Sequence, residues 1–62
     1  MIVNFYHVIP NNRKFTRLIA SRNIECIPQK GTFINFSGQT FVTDKVVLSI
    51  NKSEYAVYMH RV

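Results

Sequence analysis

The sequence contains few of the residues that form disulfides, catalytic sites or metal sites. Its 62 residues include one cysteine, two histidines and three acidic residues, and tryptophan is absent. The single Cys26 excludes an intrachain disulfide, and a small domain without such a crosslink is typical of a reducing compartment. No apolar run approaches the roughly 18 to 20 residues of a membrane-spanning helix, and residues 1–9 lack the basic leader of a signal peptide. We therefore expect a cytoplasmic protein that does not bind a membrane.

The scarce titratable residues are spread along the chain, which argues against an enzyme. Acid–base catalysis needs titratable groups that are positioned together, yet each acid lies in a different segment. The acids are Glu25, Asp44 and Glu54. A structural zinc site uses four ligands, usually with two close in sequence, whereas His7, Cys26 and His60 are far apart. Gly31 and Gly38 stand alone, so there is no glycine-rich phosphate loop. We expect no catalytic residue, metal or cofactor, and we expect Cys26 to be a small core residue.

Hydrophobic residues, by contrast, are abundant for so small a domain. They make up 47% of the chain and include five Phe and three Tyr. A domain of about 60 residues buries only about 60% of the surface that its unfolded chain exposes. Either the packing is unusually aromatic, or part of this apolar surface packs against a second copy or a partner.

Turn residues interrupt the apolar runs at short intervals, which predicts an all-β domain. Predicted strands cover residues 2–9, 14–21, 32–36, 40–50 and 54–62, and predicted turns cover 10–12, 28–31, 37–38 and 51–53. Residues 12–22 also fit a short helix, because several apolar side chains fall at helical spacing between Asn12 and Asn23 as caps. We prefer the strand, because the Asn-Asn turn joins two apolar runs of similar length. The fold class is then a single five-stranded domain over residues 1–62, either a small SH3-like barrel or a strongly bent antiparallel meander, with an OB-type barrel as the next alternative.

The predicted fourth strand changes its pattern at Asp44 and Lys45. Phe41 and Thr43 share one face, whereas the apolar residues that follow have the opposite parity. These are Val46, Leu48 and Ile50. A β-bulge at Asp44 and Lys45 would bend the strand and turn both halves toward one core.

The turn and core positions together resemble those of short proteins encoded by phages and prophages. The shared elements are an Ile-Pro-x-x-Gly step, an apolar strand and the strands around a glycine turn: Ile27-Pro28-x-x-Gly31, Phe41-x-Thr43-x-x-Val46 and Val57-Tyr58. Those chains are SH3-like barrels with an N-terminal hairpin before the Ile-Pro-x-x-Gly step. The resemblance implies a mobile-element source, the host cytoplasm as location, and an accessory or host-directed binder. It carries over no functional residue.

Positive charge is concentrated near the beginning of the chain. The net charge is +5, and residues 1–24 contain four of the eight basic residues and no acid. Such a segment attracts nucleic acid, an anionic nucleotide or an acidic protein surface. The alternative is that the net charge only keeps a small apolar protein soluble. Aromatic side chains on alternating strand positions could add stacking surfaces for bases. The predicted partner- or anion-binding residues are Arg13, Lys14, Arg17, Arg22, Tyr6 and Tyr58.

Three functions agree with these features. The first is a small non-enzymatic protein that docks onto an acidic surface of a host protein or defence complex and inhibits it. The second is a basic nucleic-acid-binding module, and the third is a homo-oligomer that holds anionic nucleotides. For the first, we expect that reversing the charge of Arg13, Lys14 and Arg17 to Glu abolishes partner binding without unfolding the domain.

Overall fold

A computed structural model describes residues 1–9 and 16–62, and within them it contains five β-strands and no helix. The strands are β1 (Ile2–Val8), β2 (Thr16–Asn23), β3 (Phe33–Phe36), β4 (Gln39–Ser49) and β5 (Glu54–Arg61). The prediction of an all-β domain is confirmed. Residues 16–22 of the alternative helix belong to β2. The predicted turn at 10–12 and the predicted start of the second strand at 14–15 lie outside the described residues.

The strands form one sheet in the order β2-β1-β5-β4-β3, which curls into a half-barrel compatible with a small SH3-like barrel. The pairs β1–β2, β4–β5 and β3–β4 are antiparallel, whereas β1 and β5 run parallel. The sheet is therefore mixed and is not a wholly antiparallel meander. Segment 24–32 carries the chain from β2 at one edge to β3 at the other. Local turn residues predict hairpins, but they do not indicate that the first and last strands pair in parallel.

Two β-bulges set which side chains face the core. Across β4 and β5, Thr43 pairs with Met59 and Lys45 pairs with Tyr58, so Asp44 is an extra residue in β4. The predicted bulge is confirmed. A second bulge in β2 was not predicted. There Phe5 of β1 pairs with Ala20, and the next β1 residue, Tyr6, pairs with Leu18. Ile19 is therefore the extra residue in β2.

The core lies on the inner, concave face of the sheet. Six hydrophobic side chains are buried there: Val3, Phe5, Ala20, Phe41, Val57 and Met59. The ring of Phe5 lies edge-on to Phe36 of β3, with centroids 5.2 Å apart, so β3 folds over β1 across the half-barrel. Thr43 is the one buried polar residue among those described, at 2% exposure.

Three residues that we expected in the core lie outside it. Cys26 is exposed, because it falls in the irregular segment after β2, where Ile24 and Ile27 supply the packing. Leu48 and Ile50 are 47% and 80% exposed. Leu48 lies near the end of β4 and Ile50 directly after it, both beyond the residues 39–42 that pair with β3.

A tight turn joins β3 to β4 and confirms the predicted turn at 37–38. Ser37 and Gly38 have φ of 50° and 79°, and Phe36 pairs with Gln39 on either side of them. Two consecutive residues with positive φ between paired strands form a type I′ turn, whose twist matches that of the strands. The turn brings Ser37 and Gln39 to the open side of the half-barrel.

Candidate binding site

Arg17 and Arg22 project from the same face of β2. Arg17 pairs with His7 and Arg22 with Val3, and both of these β1 residues face the core. In a regular strand, residues five apart point to opposite faces. The bulge at Ile19 adds one residue between the two arginines and so returns them to a common face.

A cleft of about 310 Å³ opens beside these arginines, between β2 and the β3–β4 turn. We call it the cationic cleft, and its lining consists of His7, Arg17, Ile19, Ala20, Arg22, Phe36, Ser37, Gln39 and Phe41. The cleft floor is aromatic and aliphatic, while its rim carries two guanidinium groups, a hydroxyl and an amide. None of the described residues that line it is acidic. The chemistry suits an anionic group that also presents some apolar surface.

The side chains at the cleft floor are fixed by aromatic packing. The ring of His7 lies edge-on to Phe41, with centroids 5.2 Å apart and planes at 74°. Phe41 in turn packs against Phe36 at 6.3 Å. These contacts join β1, β3 and β4, so the floor of the cationic cleft is part of the core and is preorganised.

The positive charge of the cationic cleft is not neutralised within the described residues. Among the described residues, Asp44 Oδ1 lies 2.7 Å from His60 Nδ1, away from the cleft. Asn4 Nδ2 donates to Glu54 Oε2 at 3.2 Å, so Asp44 and Glu54 have partners on the outer, convex face. In the part of the chain that the structure describes, Arg22 Nη1 donates only to the carbonyl of Ser21, at 2.9 Å. Each guanidinium therefore keeps donors for an external carboxylate or phosphate.

The two predicted tyrosines lie on the outer face, in one row across the sheet. In register, the row runs Leu18, Tyr6, Tyr58 and Lys45. The rings of Tyr6 and Tyr58 stack with centroids 5.2 Å apart and planes at 17°. Lys45 Nζ lies 4.9 Å from the centroid of the Tyr58 ring. Because β1 and β4 flank β5 on opposite sides, both faces of the Tyr58 ring are covered, and neither is open to a stacking base.

The predicted binding residues thus fall into two groups on opposite faces. Arg17 and Arg22 meet at the cationic cleft, whereas Tyr6 and Tyr58 meet on the outer face. Arg13 and Lys14 lie outside the described residues. The cleft residues His7, Phe36 and Gln39 were not among the predicted binding residues, because they come together only through the curl of the sheet. The one available signal was the imperfect alternation of β2.

No metal centre is indicated in the parts of the chain that the structure describes, where no three His, Cys, Asp or Glu side chains lie together. His7 and His60 lie on neighbouring strands, but they point to opposite faces, because His7 pairs with Met59 of the core and His60 follows it. Nor is any described segment a helix long and apolar enough to cross a membrane.

Comparisons with protein-family models, with curated proteins and with solved structures found no match to this chain.

Proposed function

We propose that this chain is a non-enzymatic binding domain that recognises an acidic partner protein through the cationic cleft. The main support is the position of Arg17 and Arg22. The β2 bulge brings both to one face, beside a cleft whose described lining residues include no acid. The resemblance to phage-encoded barrels adds that the partner is a host protein or defence complex, which the bound domain inhibits by covering its acidic surface.

The arrangement of aromatic side chains favours a protein over nucleic acid. Proteins that bind single strands combine cations that follow the backbone with aromatic faces on which bases stack. Here Arg17 and Arg22 line the inner cleft, while Tyr6 and Tyr58 lie on the other side of the sheet. The aromatic rings beside the arginines, Phe36 and Phe41, are packed in the core of the half-barrel, so the cleft has no row of exposed rings for successive bases. The compact cleft fits one or two acidic side chains with an apolar neighbour better than it fits a run of phosphates.

Capture from a bacterial lysate by the immobilised chain tests the proposal. The test variant is Arg17→Glu/Arg22→Glu, and the matched control is Lys30→Glu/Lys52→Glu, whose lysines are exposed and do not line the cationic cleft. Each variant has six basic and five acidic residues, so both fall from a net charge of +5 to +1. We expect the wild type and the control to retain an acidic protein that the test variant loses.

A parallel titration with single- and double-stranded DNA and RNA separates the alternatives. For a nucleic-acid binder, affinity falls steeply with salt, because neutralised phosphates release counterions. We expect only weak binding at low salt, reduced equally in the two charge-matched variants. Tight binding that only Arg17→Glu/Arg22→Glu abolishes would instead assign the cationic cleft to nucleic acid.

A further inference from the structure

The outer edge of β2 is open within the described residues. The strand pairs with β1 on one side, and it is the terminal strand of the sheet on the other. An edge strand presents a row of unpaired backbone N–H and C=O groups that can pair with another extended chain. The cationic cleft separates this edge from the β3–β4 turn, so an added strand would lie over the cleft.

The two edges of the sheet differ in how well they could accept a strand. The β3 edge is four residues long, whereas β2 has eight residues and no proline. The charged residues of β2 are Arg17 and Arg22, both positive. A second copy of β2 would bring like charges together, which opposes self-association along this edge. An acidic extended segment would meet opposite charges instead.

The spacing of Arg17 and Arg22 determines where acidic residues must lie in such a segment. Arg17 and Arg22 lie opposite His7 and Val3, which are four residues apart in β1. Four residues of strand span about 13 Å. A regular strand laid beside β2 matches this distance with acids at positions i and i+4, which point to the same face. The side chain at i+2 then lies above the cleft, where Ile19 offers an apolar contact.

We propose that an extended acidic segment of the partner protein adds to the outer edge of β2 as a sixth strand, with acids at i and i+4 and an apolar residue at i+2. The backbone pairs with β2, the two carboxylates bind Arg17 and Arg22, and the apolar side chain enters the cationic cleft. Backbone pairing provides affinity and the alternating side chains provide specificity. This inference rests on the proposed function and states how that partner binds.

Two peptides of equal composition and charge test the register. The matched peptide is acetyl-Thr-Glu-Thr-Val-Thr-Glu-Thr-amide, and the shifted peptide is acetyl-Thr-Glu-Thr-Val-Glu-Thr-Thr-amide. In the shifted peptide the second Glu points to the opposite face of the strand, so its carboxylate no longer contacts an arginine of β2. Amide chemical shifts of the full chain, followed by NMR during titration, give the affinity and the location of binding. We expect the matched peptide to bind about tenfold more tightly, with the largest shift changes at residues 16–23.

Backbone methylation of the matched peptide tests the added strand itself. Alternate residues of a strand point their N–H groups to opposite sides. N-methylation of the odd-numbered or of the even-numbered peptide residues therefore blocks pairing in one of the two derivatives. We expect one derivative to lose binding at least tenfold and the other to retain it.

Several results would contradict the addition of a sixth strand to β2. Equal affinity of the matched and shifted peptides, or binding by both methylated derivatives, would overturn strand addition and leave charge recognition at the cationic cleft intact. Shift changes centred on β3, or no binding by either peptide, would also overturn it. The lysate capture then decides separately whether the proposed function stands.

Discussion

The hydroxyl of Thr43 gives the sharpest stability prediction in this fold. Thr43 is 2% exposed, and its Oγ1 has no hydrogen-bond partner among residues 1–9 and 16–62. Its backbone is fully paired, because its N–H donates to the carbonyl of Thr32 at 2.9 Å and its carbonyl accepts from Gly31 N–H at 2.8 Å. The side chain faces the core beside Met59. A buried hydroxyl without a partner loses its bonds to water and gains none in return.

Replacing Thr43 by Val should therefore stabilise the protein. Val has nearly the same shape and the same β-branched preference for strands, so the change removes the unpaired hydroxyl and little else. Unsatisfied buried groups of this kind cost about 1–3 kcal/mol. We expect Thr43→Val to raise the free energy of unfolding by at least about 1 kcal/mol. For a domain of this size, that corresponds to a rise in Tm of about 4–8 °C.

Urea and thermal unfolding followed by circular dichroism measure this change, with two controls. Thr40→Val makes the same chemical change at an exposed position of β4, and we expect less than about 0.5 kcal/mol. Thr43→Ser keeps the hydroxyl and removes a buried methyl group, and we expect a loss of about 1 kcal/mol. If Thr43→Val proved neutral or destabilising, Oγ1 would have a partner that offsets its burial, and the reasoning would be refuted.

Two further predictions concern the β3–β4 turn and the outer face. Asn suits the first position of a type I′ turn better than Ser, so Ser37→Asn should raise the free energy of unfolding by about 0.5 kcal/mol. Gly38→Ala should lower it by about 1 kcal/mol through backbone strain alone, because an added Cβ would meet nothing within 4 Å. A double-mutant cycle of Tyr6→Leu and Tyr58→Leu should give a coupling free energy of about 0.5–1.5 kcal/mol. Additive effects in that cycle would show that the stacked rings do not stabilise each other.

The fold follows the sequence where local patterns decide it. The turn residues Ser37 and Gly38 correctly mark a hairpin, because positive φ is a local requirement. The change of parity at Asp44 correctly marks a bulge, because both halves of β4 carry apolar residues. The exposed positions of Leu48 and Ile50 could not be predicted in this way. They depend on how far β3 extends along β4, which is a property of the whole sheet.

The candidate site was only partly predictable for the same reason. Charge clustering pointed to Arg17 and Arg22, but their common face depends on the bulge at Ile19. Weak alternation in β2 fits a bulge, an edge strand or a short helix, so the pattern did not identify the bulge. The cleft itself forms through the parallel β1–β5 pair and the curl of the sheet, and contacts of this kind join residues far apart in the sequence.

In the proposed complex, Arg17 and Arg22, and not the total charge, bind the acidic partner. This can be tested directly once the captured protein is purified. Isothermal titration gives its affinity for the wild type, for Arg17→Glu/Arg22→Glu and for Lys30→Glu/Lys52→Glu. The two variants have the same net charge of +1, against +5 for the wild type. The cleft model predicts that the arginine variant loses affinity by about a hundredfold, because two charge-assisted contacts become repulsive. It also predicts a loss of less than about tenfold for the lysine variant, from weaker long-range attraction. Equal losses in the two variants would contradict binding at the cationic cleft.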